Sequence, residues 1–181
     1  MFAKKAGECI DRLNDLINEL LDVSKIQNGK LPLHITTFDF NKMLSDTIEG
    51  VQYGAPTHTI INSGETLKPA TGDKERLQQV LINLLTNAVK YSPKSDKVFV
   101  NVIEKKGEIK VSVTDSGIGI RKENLEKIFE RYYREEGRAV HFQGLGIGLS
   151  ICREIIKRHN GKIWTESKPG KGSTFYFTIP L

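Results

Sequence analysis

Two cysteines, one tryptophan and six prolines are all that this chain of 181 residues holds of those types. Cys9 and Cys152 stand far apart with no metal-like spacing around either, which argues against a disulfide framework and against a zinc site. No run of eighteen apolar residues occurs, which excludes a transmembrane helix. The first thirty positions lack the apolar stretch and small-residue cleavage site of a secretory signal. The expected compartment is the cytosol, and a membrane anchor elsewhere in a longer protein is left open. Block charge is missing too. The net charge of +5 is spread along the chain with no run of five or six like charges, so a nucleic-acid groove is not expected, and mild basicity suits polyphosphate ligands equally well. No internal repeat or low-complexity segment is found.

What remains is an ordinary globular composition, with 38% hydrophobic and 27% charged residues. A chain of this length buries roughly 70% of its unfolded surface, enough for a core without staples, so one domain with a short appendage is expected. From Ala6 to Gln27, Ile10, Leu13, Ile17 and Leu20 recur every three or four residues, with Leu16, Leu21, Val23 and Ile26 widening the stripe. This predicts an amphipathic helix, stopped by Asn28-Gly29 and Pro32, whose apolar face needs a partner in a helical bundle or in its own domain. Beyond it, Leu33–Phe38 reads as a strand, Phe40–Tyr53 as a helix capped by Asp39, and Thr57–Ser63 as a strand. Asp73 caps a long helix from Lys74 to Lys90 with Leu77, Leu81, Leu84 and Ala88 inward. Val98, Val100 and Val102 then alternate against Ile109, Val111 and Val113 in a hairpin turned by Lys105–Gly107. A helix over Gly146–His159 and strands over Lys162–Ser167 and Ser173–Ile179 complete an α+β order. The charged, aromatic stretch from Phe129 to Gln143 has no sustained period and is long for a connector, as lids are.

Three clusters bear chemistry. On the long helix Asn83, Asn87 and Lys90 fall at i, i+4 and i+7, beside the leucine stripe, so two amides and an ammonium share one face. Amide oxygens suit Mg²⁺ shared with phosphates and the ammonium suits anionic oxygen, although a plain solvated face would read the same way. Asp115-Ser116-Gly117-Ile118-Gly119 ends a strand where glycines let a planar ligand approach. A carboxylate there is acceptor-only, matching the amino group of adenine and opposing the keto oxygen of guanine. Gly144-Leu145-Gly146-Ile147-Gly148-Leu149 opens a helix whose unpaired N–H groups suit phosphate, although a plain glycine-rich helix entry would read the same way. It has neither the Gly-Lys-Ser/Thr of a Walker loop nor the setting of a Rossmann turn.

Read in order, Asn83 to Tyr91, Asp115 to Ile120, Ile128-Phe129-Glu130-Arg131-Tyr132-Tyr133-Arg134 and Gly144 to Leu149 resemble the N, G1, F and G2 boxes of sensor histidine kinases. The tail from Ile151 to Leu181, with Gly170-Lys171-Gly172-Ser173-Thr174-Phe175, is similar to the family's last helix and strand pair, so the resemblance covers positions 36–181. It implies a Bergerat-type ATP-binding fold, a two-layer α/β sandwich with a mixed sheet packed against helices, preceded by one amphipathic helix. It also implies roles: Asp115 for adenine N6, Gly117 and Gly119 for its pocket, Asn87 with Asn83 for Mg²⁺, Lys90 and Arg134 for phosphate. Tyr91 and Tyr133 are expected to flank the nucleotide, and Phe129 and Tyr132 to anchor the lid. Ile120, Gly144, Leu145, Gly146, Gly148, Leu149 and Thr174 complete the nucleotide-binding set.

Related ATPases of this fold place a water-activating Glu four residues before the magnesium-binding Asn. Here Asn83 occupies that place, and an amide cannot take the proton, which favours a kinase over a hydrolase. The resemblance further implies domains at 1–30 (the second helix of a dimerisation hairpin) and 36–181 (the catalytic domain), joined by a linker at 31–35. Its partners are a hairpin helix bearing a phosphoacceptor histidine, a response-regulator receiver domain and a second copy in a homodimer. The acceptor helix is expected to lie outside this sequence, because His34, His58, His141 and His159 are all off the N-terminal helix and read as surface or packing residues. A docking module without useful nucleotide affinity, or an ATPase switch of the same fold, is the competing reading.

Overall fold

A computed structural model describes residues 2–27, 31–134 and 145–181, with side chains in the first helix described for Leu13 and for residues 16–27. Helix α1 runs over Phe2–Gln27. Then follow β1 (Thr36–Phe38), α2 (Phe40–Gly54), β2 (Thr59–Ser63), β3 (Ala70–Gly72), α3 (Lys74–Tyr91), β4 (Lys97–Lys105), β5 (Glu108–Asp115), two 3₁₀ turns, α4 (Gly148–Arg158), β6 (Lys162–Lys168) and β7 (Gly172–Pro180).

Five strands form one sheet in the order β2-β4-β5-β7-β6. Strand β2 runs parallel to β4, which requires the crossover through α3, and every other pairing is antiparallel. Lys106 and Gly107 both take positive φ (55° and 79°), the two-residue turn whose twist matches a tight hairpin between β4 and β5. Alternation sends Val98, Val100, Val102, Ile109, Val111 and Val113 to one face, all buried. Against it α3 lays Leu77, Val80, Leu81, Leu84, Leu85 and Ala88, flanked by α2 and α4. The expected two-layer sandwich with a mixed sheet is therefore present.

Several boundaries differ from the sequence reading. Strand β1 begins only at Thr36, because the backbone before it is drawn off to α3: His34 N donates to Asp73 Oδ2 at 2.8 Å. Strand β3, unpredicted, pairs with β1 in a separate two-stranded sheet. Helix α4 starts at Gly148 rather than Gly146, since Gly146 is left-handed (φ +73°) and its carbonyl accepts from Tyr132 N at 2.9 Å.

The amphipathic stripe of α1 meets the domain only in part. Val23 is buried, whereas Leu13, Ile17, Leu20 and Leu21 stay 46–57% exposed. The helix is held by its polar groups: Asp22 Oδ2 takes Arg76 Nη1 at 2.7 Å and Gln79 Nε2 at 2.9 Å.

His58 and His159 are both packing residues, buried and hydrogen bonded, with His58 Nε2 against the Ser92 carbonyl at 3.1 Å. His159 Nε2 accepts from Asp73 N at 2.9 Å, and its Nδ1 therefore carries the proton toward the Ile155 carbonyl at 2.8 Å. His141 lies outside the described residues. Asp73 thus caps α3 through Arg76 N (3.0 Å), holds His34 N and donates to His159. Replacing Asp73 with alanine removes two acceptors from buried or half-buried N–H groups, and a loss of about 2 kcal/mol is expected. A lower urea midpoint with unchanged slope is the check.

Candidate functional site

Helix α3 carries the predicted polar face along one wall of a cavity of about 330 Å³, a size that suits a small-molecule ligand. Asn83, Thr86, Asn87, Lys90 and Tyr91 line that wall. At 1.5 Å per residue the eight steps from Asn83 to Tyr91 span roughly 12 Å of helix along that wall. At its start Asn83 packs over Gly148, where an added Cβ would come within 2.1 Å of Asn83 Nδ2. At its end the Tyr91 carbonyl accepts from Ile118 N at 3.1 Å, fastening α3 to the turn after β5.

Asp115 has the same strand parity as Ile109, Val111 and Val113, so its side chain leaves the sheet toward the helices and into the cavity. It is 5% exposed. Gly117 N donates to its Oδ1 at 2.7 Å. Burial pushes the carboxyl above its ordinary 3.8, and the backbone N–H groups of Gly117 and Ser173 pull the other way. Gly117 itself stays outside the lining and acts through that hydrogen bond, while Gly119, Ile118 and Ile120 form the wall. Gly119 takes φ +66° and would, with a Cβ, strike the Lys168 carbonyl at 2.1 Å, so no other residue fits there.

The opposite wall brings Ile128, Tyr133, Arg134, Leu145, Gly146, Gly148 and Leu149. Helix α4 opens without a side-chain cap, leaving its first N–H groups to whatever occupies the space in front of it. Lys90 Nζ lies 5.0 Å from the centre of the Tyr91 ring. Burial raises the Tyr91 phenol, with the Arg134 guanidinium opposing, so Tyr91 presents a neutral ring. Among the described residues no group of three His, Cys, Asp or Glu side chains stands ready for a metal. Asn87 Nδ2 donates to Asn83 Oδ1 at 3.0 Å, which turns the Asn87 oxygen away from Asn83. These neutral donors fit a divalent cation that arrives with anionic oxygens of its own.

Two expectations shift, and a third falls outside the described residues. Thr174 does not line the cavity. It has the opposite parity on β7, and its Oγ1 is 3.0 Å from Thr114 Oγ1 on the far face of the sheet, while its neighbours Ser173 and Phe175 face the site. Tyr132 does not anchor the lid by burial. It is 58% exposed, and only its backbone is held; Phe129 is buried edge-to-face with Phe175 at 6.4 Å. Gly144 and the rest of the expected lid from residue 135 lie outside the described residues. The sequence reading missed Leu16 and Glu19, which bring α1 to the mouth of the cavity, together with Thr86, Ile118, Ile128, Ser173 and Phe175. Strand parity would have found Ser173 and Phe175; no local signal points to Leu16 or Glu19.

Residues 72–181 match the family described as histidine kinase-, DNA gyrase B-, and HSP90-like ATPase. The adaptive-response sensory kinase SasA of Thermosynechococcus vestitus is 37% identical over 174 residues, 93% of this chain and 45% of that protein. The chain thus spans less than half the length of such curated relatives. The catalytic domain of histidine kinase ThkA, in a nucleotide-free form, aligns with a TM-score of 0.66 at 32% identity over 81% of this chain and 95% of that one. Full-length ShkA in complex with AMPPNP aligns with a TM-score of 0.83 over 99% of this chain and 38% of that one, a likeness of fold at 24% identity. Since the family match takes in more than half of the chain, and the fold aligns with a solved histidine kinase catalytic domain at 32% identity, the chain belongs to this ATPase family as an ATP-binding catalytic domain of the histidine kinase type.

Proposed function

We propose that the cavity holds Mg·ATP with adenine against Asp115 and the triphosphate toward Asn87, Lys90, Arg134 and the opening of α4, and presents it to a histidine on a separate helix. An imidazole nitrogen attacks the γ-phosphorus in line, the bond to the β–γ bridging oxygen breaks, and ADP leaves. This chain contributes positioning and charge neutralisation, since Asn83 offers no general base for water. Mg²⁺, when bound with the phosphates at Asn87 and Asn83, supplies further charge neutralisation. One observation carries the reading: a buried acceptor-only carboxylate, two amides and two cations converge on one cavity.

Residues 1–30 act as the second helix of a dimerisation hairpin, 31–35 as a linker and 36–181 as the catalytic domain. The exposed Leu13, Ile17, Leu20 and Leu21 support this, being the apolar face that a hairpin partner and a second copy would cover. A receiver domain of a response regulator accepts the phosphoryl group next, and ATP use of this kind places the domain in the cytoplasm. No helix among the described residues is long and apolar enough to cross a membrane.

Incubation with γ-labelled ATP tests the proposal. Acid-labile label is expected on a separately supplied hairpin containing the histidine and none on this chain alone; label on this chain, or none on a hairpin of matched sequence, contradicts it. Asn87→Ala is expected to lower ATP affinity in Mg²⁺ by about tenfold and to leave the weaker affinity in EDTA unchanged. Calorimetry with and without the metal reads the difference, and an intact magnesium dependence would remove Asn87 from the metal site.

A further inference from the structure

Ser167 lies at the end of β6, outside the cavity, yet three hydrogen bonds converge on its hydroxyl. Ile120 N donates to Ser167 Oγ at 2.8 Å, Ser167 Oγ donates to the Gly172 carbonyl at 2.8 Å, and Ser173 Oγ is 2.9 Å away. A hydroxyl has one proton. With that proton on the Gly172 carbonyl, which can only accept, the contact with Ser173 needs the Ser173 proton, and Ser173 must donate to Ser167. The Ser173 hydroxyl therefore turns its proton away from the cavity and its lone pairs toward it. Ser173 stands directly opposite Asp115 in the β5–β7 register, is 7% exposed and lines the same wall.

The backbone around these groups is closely fitted. Gly170 N donates to the Ile118 carbonyl at 2.8 Å, so the β6–β7 turn is bonded to the purine-side turn at Ile118 and, through Ser167, at Ile120.

We propose that Ser167 is a positioning residue for purine selection: its hydroxyl fixes the Ile118–Ile120 wall and orients Ser173, so that Ser173 and Asp115 together present acceptors only. Such a wall takes the exocyclic amino group of adenine and opposes the keto oxygen of guanine. The inference rests on the reading of the cavity as the ATP site. A serine that served only the fold would, when replaced, weaken both purine nucleotides alike.

Calorimetric titration of the whole chain with Mg·ATP and with Mg·GTP, for the wild type and Ser167→Ala, separates the two roles. The ATP-over-GTP affinity ratio is expected to fall about fivefold or more in the variant. A ratio equal to that of the wild type, whatever the thermal midpoint, overturns the proposal. Should the alanine variant not fold, the nearly isosteric Ser167→Cys, a far weaker hydrogen-bonding group, is read by the same ratio and the same two outcomes. A wild type without preference for ATP overturns the cavity reading itself, and this inference with it.

Discussion

Replacing Asp115 with alanine is expected to weaken Mg·ATP binding by about 10- to 150-fold, or 1.5–3 kcal/mol, the loss of a buried charge-assisted hydrogen bond. The carboxylate is placed for this by parity on β5 and held by the Gly117 and Ser173 N–H groups. Burial has raised its pKa above 3.8, so the folded chain binds this proton more tightly than the unfolded chain does. Its contribution to stability is therefore full in acid, below 3.8, and is lost as pH rises through the raised folded value. At neutral pH the ionised group is a cost to the fold, which offsets the two N–H groups that alanine leaves unpaired. A midpoint within about 3 °C of wild type, beside a large affinity loss, is the expected pair of results. The same shift gives ATP affinity an acid limb: binding weakens as pH falls through the raised value. Unchanged affinity in the alanine variant would take Asp115 out of the site.

Phe177→Ala is expected to cost the fold roughly 3–5 kcal/mol, the range for emptying a fully buried aromatic site. Phe177 is 0% exposed on β7, between Val111 of β5 and Ile163 of β6 in the register, and points under the helices. For a chain of this size the loss lowers the thermal midpoint by about 6–20 °C. Phe177 does not line the cavity, so at low temperature the folded variant should bind ATP as the wild type does, and saturating nucleotide should restore part of the midpoint by linkage. A midpoint shift below about 2 °C would mean that this face of β7 is not the core.

The interior of the domain was legible because its signals are local and periodic. The valines of β4 and β5, the leucine stripe of α3 and the caps at Asp39 and Asp73 each state their own conformation. Elements fixed by distant partners were not legible. Strand β3 has three residues and exists through its pairing with β1, while the entry of α4 is delayed by a left-handed glycine bonded to Tyr132.

The same division runs through the site. The spacing of Asn83, Asn87 and Lys90 put them on one face, and the face does line a cavity. Thr174 was assigned from a motif, whereas its parity, readable from the alternation of Phe175, Phe177 and Ile179, sends it to the opposite side of the sheet beside Thr114. Leu16 and Glu19 reach the cavity because Asp22 is clasped by Arg76 and Gln79, more than fifty residues away in sequence. Ser167 is unremarkable in the sequence because its partners, the Ile120 N–H, the Gly172 carbonyl and the Ser173 hydroxyl, come together only where the β6–β7 turn meets the turn after β5.

The most direct measurement is a crystal structure of the chain with Mg²⁺ and a non-hydrolysable ATP analogue. The adenine amino group is expected about 3 Å from the Asp115 carboxylate, with the phosphates among Asn87, Lys90 and Arg134. A nucleotide bound elsewhere, or the base turned away from Asp115 within the cavity, would contradict the account.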